Sequence, residues 1–275
     1  MAANNFDFLK GWQINFILAI AVIAMLAAVG CGDGGFNYSS INEPIETHQD
    51  SFAVGESPRL VVVSFNGGIT VEASTDGNIA VMATIRRANY VEYRVEQEGN
   101  TVTVVANQQE RTTGNSPGAE IVVSVPANTQ LKLDTTNGAI LVRGTVRSGD
   151  VKTSNGPIEL IGIKGTFVAD TSNGQITING FVGNVNLETS NGGIEFTGEM
   201  TPGGRNDIRT SNGSIDIVLR GTPSVKVDAI AINATIKSDV PIRTSSTKST
   251  NLQGTIGRGE ADLRVDTSNG SITIR

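Results

Sequence analysis

Residues 153–196 read TSNGPIELIGIKGTFVADTSNGQITINGFVGNVNLETSNGGIEF. The tetrad Thr-Ser-Asn-Gly opens at Thr153, Thr171 and Thr189, so one unit recurs every 18 residues. Upstream, Thr135–Gly138 is the same tetrad with Thr for Ser; downstream come Thr210–Gly213, after an interval of 21, and Thr267–Gly270. A degenerate copy stands at Ile232-Asn233-Ala234, and an early cousin at Phe65-Asn66-Gly67-Gly68-Ile69. Alternating apolar pairs follow each corner: Ile140/Val142, Ile158/Leu160, Ile176/Ile178, Ile194/Phe196, Ile215/Ile217 and Ile272/Ile274. A second glycine recurs at Gly144, Gly162, Gly180 and Gly198.

The physics of the unit is direct. Period-two spacing puts both apolar side chains on one face of a strand. Asn-Gly is expected to supply the positive φ that a tight reversal needs, and the second glycine marks the next corner. The segments before the tetrads alternate as well, as in Val151-Thr153-Asn155 and Val185-Leu187-Thr189. One repeat cannot bury its own apolar stripe. Equal units stacked about 4.8 Å apart can. The fold class expected is all-β: a β-solenoid or β-helix-like stack of strand-turn-strand repeats of about 18 residues, with a less regular N-terminal β segment. Residues 131–275 form the regular part. Residues 51–130, with Leu60–Val63, Ile69/Val71, Val91-Tyr93-Val95, a Glu98-Gly99-Asn100 hairpin turn and Ile121-Val123-Val125, form either wider turns of the same solenoid or a sandwich-like cap over its open edge. Phe167, Phe181 and Phe196 are assigned to the core or its corners.

The corner residues Asn137, Gly138, Asn155, Gly156, Asn173, Gly174, Asn191, Gly192, Asn212, Gly213, Asn269 and Gly270 admit two readings. They could form a polar row that reads a ligand, or a structural ladder of turn residues whose stacked amides satisfy one another. The second is favoured, because Asn-Gly marks turns without any ligand.

The N-terminus carries a different signal. Residues 12–30 are almost wholly apolar, follow Lys10, and end in Ala28-Val29-Gly30-Cys31; Cys31 is the single cysteine. Small residues before a cysteine, straight after an apolar run, resemble a bacterial lipoprotein processing site. By that resemblance residues 1–30 are a signal peptide and Cys31 is the lipidation site. The alternative is an uncleaved helix, since about 19 apolar residues can just cross a bilayer. Either way the remainder lies outside the cytoplasm, membrane-anchored at the cell envelope. Gly32, where an inner-membrane retention signal would place Asp, implies the outer membrane if the host has one. Residues 31–50 then act as a flexible tether, and a lone thiol leaves the fold without an internal disulfide.

Composition narrows the function. Only 17% of residues are charged and the net charge is −6, so a nucleic acid partner is not expected. The single histidine, His48, falls in the tether, which leaves no His-based triad or His-ligated zinc site in the domain. Asp134, Asp170 and Glu188 precede tetrads and could stack into a carboxylate row, but Lys152 interrupts the row and Arg209 follows it. Such a mixed-sign row reads as a solvated ladder. Asn-Gly turns without a following Asp do not make the calcium-binding β-roll motif. No catalytic residue, cofactor or metal is therefore expected. Glycan binding would draw on Tyr90, Tyr93 or the few Phe, because Trp12 belongs to the apolar run.

From about Ser51 to Arg275, the opening Phe65-Asn66-Gly67-Gly68-Ile69-Thr70-Val71 and the Thr-Ser-Asn-Gly-x-Ile units resemble the DUF4097-like family of bacterial adhesin-type proteins, a family of unknown function. The resemblance implies a β-solenoid-like fold at the cell envelope and transfers no catalytic residue. Two functions are expected to compete. One is an anchored, non-catalytic, adhesin-like module that contacts an envelope protein or a glycan. The other is a structural or stress-related component that self-associates or acts as a spacer. The sequence leaves the oligomeric state open. An exposed C-terminal edge at Ser271–Arg275 would favour the second.

Overall fold

The computed structural model describes residues 45–109, 116–144 and 146–275. Cys31, the apolar run 12–30 and tether residues 31–44 lie outside them. The domain from Glu43 to Arg275 is built of strands, with one 3₁₀ turn at Ala88–Tyr90. The first group comprises β1 (Ile45–Ala53), β2 (Arg59–Asn66), β3 (Ile69–Ser74), β4 (Asn78–Arg86), β5 (Val91–Glu98), β6 (Thr101–Gln108) and β7 (Gly118–Pro126). The regular group follows: β8 (Gln130–Asn137), β9 (Ile140–Arg143), β10 (Ser148–Thr153), β11 (Ile158–Ile161), β12 (Lys164–Thr171), β13 (Ile176–Thr189), β14 (Ile194–Met200), β15 (Arg205–Thr210) and β16 (Ile215–Leu219). The last group is β17 (Val225–Ala231), β18 (Ile236–Ser238), β19 (Arg243–Lys248), β20 (Asn251–Ile256), β21 (Ala261–Thr267) and β22 (Ile272–Ile274).

The tetrads form the corner between two parallel layers. In the first layer β2, β8, β10, β12, the second half of β13 and β15 stack in parallel. In the second, β3, β9, β11, the first half of β13, β14 and β16 do the same. Each rung is thus a strand, an Asn-Gly corner and a strand. Inward residues alternate with outward ones: Leu133, Val151, Ala169, Leu187 and Ile208 face Ile140, Ile158, Ile176, Ile194 and Ile215 across the core, all nearly inaccessible. Phe167, Phe181 and Phe196 are buried and stack edge to face, with ring centroids 6.3 and 6.0 Å apart. Gly149 makes room for this column, since a Cβ there would lie 2.2 Å from the Phe167 ring.

The corner glycines are required for a reason other than the expected one. Gly138, Gly156, Gly174, Gly192, Gly213 and Gly270 are absent from the positive-φ residues, as are their Asn neighbours. Each instead lies against the carbonyl oxygen of the corner glycine below. A Cβ at Gly174 would sit 1.9 Å from Gly156 O, and one at Gly192 the same distance from Gly174 O. The stacking itself excludes a side chain. Left-handed backbone appears at three of the four second glycines, with φ of 87° at Gly144, 66° at Gly162 and 70° at Gly180, but not at Gly198.

At both ends the spatial order departs from chain order. The rung β6–β7 comes later in sequence than β2–β3, yet lies outside it: β2 pairs with β6 on one side and β8 on the other. The final rung β21–β22 is inserted between the β15–β16 and β17–β18 rungs. The C-terminal strand is therefore not the exposed edge that would favour a structural role, because Ile272–Ile274 is hydrogen-bonded on both sides. Antiparallel strands close each end. β5 covers β6, β4 covers β7, and β1 covers β4. β20 covers β17 and β19 covers β20. β1 spans Ile45–Ala53, so the last part of the expected tether, with His48, belongs to this strand. The N-terminal segment is thus partly a rung and partly a cap, combining both readings of it.

Candidate functional site

Three features carry polar chemistry. The first is the corner. Asn155 Nδ2 donates to Asn137 Oδ1 at 2.8 Å, and the chain continues through Asn173, Asn191, Asn212 and Asn269 to Asn233. The ladder steps from Asn212 to Asn269 and back to Asn233, an independent record of the inserted rung. It ends at the other side where Asn137 turns to Phe65 O and Asn66 donates to Pro117 O. Beside it, the buried Thr hydroxyls of the tetrads donate to the glycine carbonyls of the neighbouring rung, as Thr153 to Gly138 O at 2.9 Å and Thr189 to Gly174 O at 2.9 Å. The amides of this row are engaged with each other.

The second feature is the outward face of the first layer. Register brings Asp134, Lys152, Asp170, Glu188, Arg209 and Asp266 into one row. The candidate carboxylates are therefore brought together, but with cations among them. Toward the C-terminal end the face becomes an alternating lattice. β15 presents Arg205, Asp207 and Arg209; β21 presents Asp262, Arg264 and Asp266; β17 presents Lys226 and Asp228. Arg209 bonds Asp207 and lies 3.5 Å from Asp266, and Arg264 Nε reaches Asp266 at 2.8 Å. The hydrogen bond and charge of Asp266 push the Arg264 guanidinium still further above its ordinary pKa. Beneath this lattice, buried Asn206 accepts from Val185 N and donates to Asp262 O. A depression of about 400 Å3 opens there, lined by Asn186, Arg205, Asp207, Asp262 and Arg264 among others.

The lattice favours the inserted position of β21. With chain order retained at the same register, β17 would lie directly on β15, putting Arg205 against Lys226 and Asp207 against Asp228. Like charges directly opposite are destabilising. With β21 between them, both pairs are separated by their complement. Sequence reasoning missed this, although the alternating signs on the three strands were its signal.

The third feature is the N-terminal cap. Tyr93 faces inward from β5 and stacks on His48 of β1, ring centroids 4.9 Å apart. Burial, and secondarily the Asp50 charge, raise its phenol pKa to about 12. Tyr90 is covered by the Arg87 guanidinium at 4.7 Å. Neither tyrosine forms an open aromatic platform. Among the described residues no three His, Cys, Asp or Glu side chains are grouped to hold a metal ion.

Stacked parallel rungs, amide-laddered corners and antiparallel end caps define a two-layered β-solenoid. The chain belongs to the Toastrack DUF4097 family, whose model matches residues 130–275. Among solved structures it is similar to a putative cell adhesion protein of Clostridium sporogenes, at 10% identity and a TM-score of 0.36, covering 83% of this chain and 99% of that one. A putative adhesin of Bacteroides fragilis matches at 13% identity and a TM-score of 0.35, covering 84% and 97%. A putative lipid binding protein of Parabacteroides distasonis matches at 14% identity and 0.24, covering 85% and 98%. No curated protein matches the sequence.

Proposed function

We propose that this chain is a non-catalytic, adhesin-like interaction module displayed at the cell envelope on an N-terminal anchor, with Cys31 as the lipidated residue. One observation carries the reading: the charged side chains of the C-terminal lattice alternate in sign across neighbouring strands and engage one another rather than converging on one point. Catalysis needs acid, base or nucleophile groups aimed at one point. The alternating lattice from Arg205 to Asp228 instead offers a rigid polar surface, suited to an envelope protein or glycan. The apolar run ending at Cys31 supports the anchor.

The test compares the native protein with Cys31→Ala by intact mass, detergent partitioning and protease treatment of whole cells. The reading expects loss of residues 1–30, an acyl-glyceryl mass gain, and cleavage of the domain on intact cells, all abolished in the variant. Full-length mass in both proteins would replace the lipid with a membrane helix. Recovery of the native domain in the cytoplasm would overturn display altogether.

A further inference from the structure

We infer that the domain stacks end to end with a second copy of itself, the β19 edge of one pairing with the β5 edge of the next. This goes beyond the display role and does not depend on it. Among the described residues β5 and β19 are the two outer strands of the same layer, each paired on one side only, to β6 and to β20. An unpaired edge is a template for another strand. What selects the partner is charge.

β5 places Glu92, Arg94, Glu96 and Glu98 opposite Asn107, Val105, Thr103 and Thr101, the outward residues of β6. All four are exposed, and Arg94 is taken up by Glu96 at 3.5 Å. The edge is therefore acidic. β19 carries Arg243 and Lys248 and no acidic residue. These two are five residues apart and would point to opposite faces of a regular strand. The irregularity between Thr244 and Ser246 corrects this: Arg243 lies opposite Thr255 and Lys248 opposite Asn251. Both partners belong to the outward row that continues from Lys226 and Ile230. The bulge thus gathers both cations on the face that bears the glutamates at the other end. Neither cation has a carboxylate partner among the described residues.

Strand direction agrees. β19 runs antiparallel to β20, which runs antiparallel to β17, so β19 has the direction of the parallel stack. β5 runs against it, being antiparallel to β6. A β19–β5 junction is then antiparallel and sets Arg243 and Lys248 in reach of Glu92, Glu96 and Glu98. Two β5 edges would repel each other, as would two β19 edges. Charge therefore rejects head-to-head and tail-to-tail pairs and accepts head-to-tail, an open heterologous contact that propagates.

Sedimentation velocity of the full chain in non-ionic detergent tests this over a concentration series at low and high salt. Wild type is expected to form a ladder of multimers that shortens as salt rises. Arg243→Glu with Lys248→Glu should weaken association at least about tenfold, as should Glu96→Lys with Glu98→Lys. Mixing the two variants should restore it, because each reversed end then meets its complement. The apolar N-terminal run is unchanged in every sample, so association that survives both reversals arises elsewhere and overturns the proposal. So does a monomer at every concentration, or a mixture that fails to recover while both variants remain folded by circular dichroism.

Discussion

The middle of the stack and its two ends obey different rules. Between β8 and β16 each rung repeats the one before it in sequence and in space, and its specification is local: corner glycine on glycine, Asn amide on Asn amide, Ile on Ile. At the ends, rungs lie out of chain order, and specification is non-local. β21 lies between β15 and β17, where the charges on the three strands alternate. Local rules make identical units interchangeable. A repeat whose units all fit one another needs something different at its ends, and here antiparallel strands close the parallel stack of one chain while their charges leave only the opposite end of another copy as a match.

The contrast can be broken most severely in the middle. Phe181→Ala removes the central ring of the column and should cost about 3–5 kcal/mol in chemical unfolding. Gly174→Ala, forced against Gly156 O, should cost about 3 kcal/mol. Gly77→Ala, with nothing within 4 Å of its Cβ, should stay within about 0.5 kcal/mol. Equal effects at both glycines would contradict the close-approach explanation.

The end is sharpened by charge. Asp262→Lys with Asp266→Lys sets like charges against Arg205, Lys226 and Arg209 and should cost about 1–2 kcal/mol. Adding Arg205→Glu and Lys226→Glu should recover part of that loss, whereas a merely additive further loss would mean the lattice does not specify the slot. Asn173→Ala breaks the bonds to Asn155 and from Asn191 and should cost about 1 kcal/mol by thermal melt, the corner being exposed.

The smallest effect concerns the N-terminal cap. Tyr93 has a folded pKa of about 12 against 10.0 for the unfolded group. The stability from its neutral form is complete below pH 10 and is lost as pH rises toward 12. Tyr93→Phe should flatten that decline in denaturant titrations between these values. An unchanged slope would place the titrating group elsewhere.

Much of this was legible in the chain. The 18-residue period, the Ile pairs and the burial of the three phenylalanines follow from alternation alone. The role of the corner glycines is not legible there, because Asn-Gly suggests φ > 0 whenever one strand is considered by itself. Only the stack reveals a carbonyl where the Cβ would be. The first cap strand is hidden in the sequence because Glu46-Thr47-His48-Gln49-Asp50 carries no apolar alternation; β1 is held mainly through its pairing with β4. The C-terminal order was hidden for a further reason. Thr267–Gly270 reads as the last repeat, and no local pattern says that it stacks on Thr210–Gly213 ahead of Asn233. That information resides in charges on strands far apart in sequence.

The inserted rung is the centre of this account, and disulfide trapping tests it most directly. In a Cys31→Ala background, Asn212→Cys with Asn269→Cys should close a bridge under mild oxidation, because those corners are adjacent. Asn212→Cys with Asn233→Cys should not, because a full rung, about 4.8 Å of extra rise, lies between them. A bridge between 212 and 233, with none between 212 and 269, would restore chain order and contradict the account.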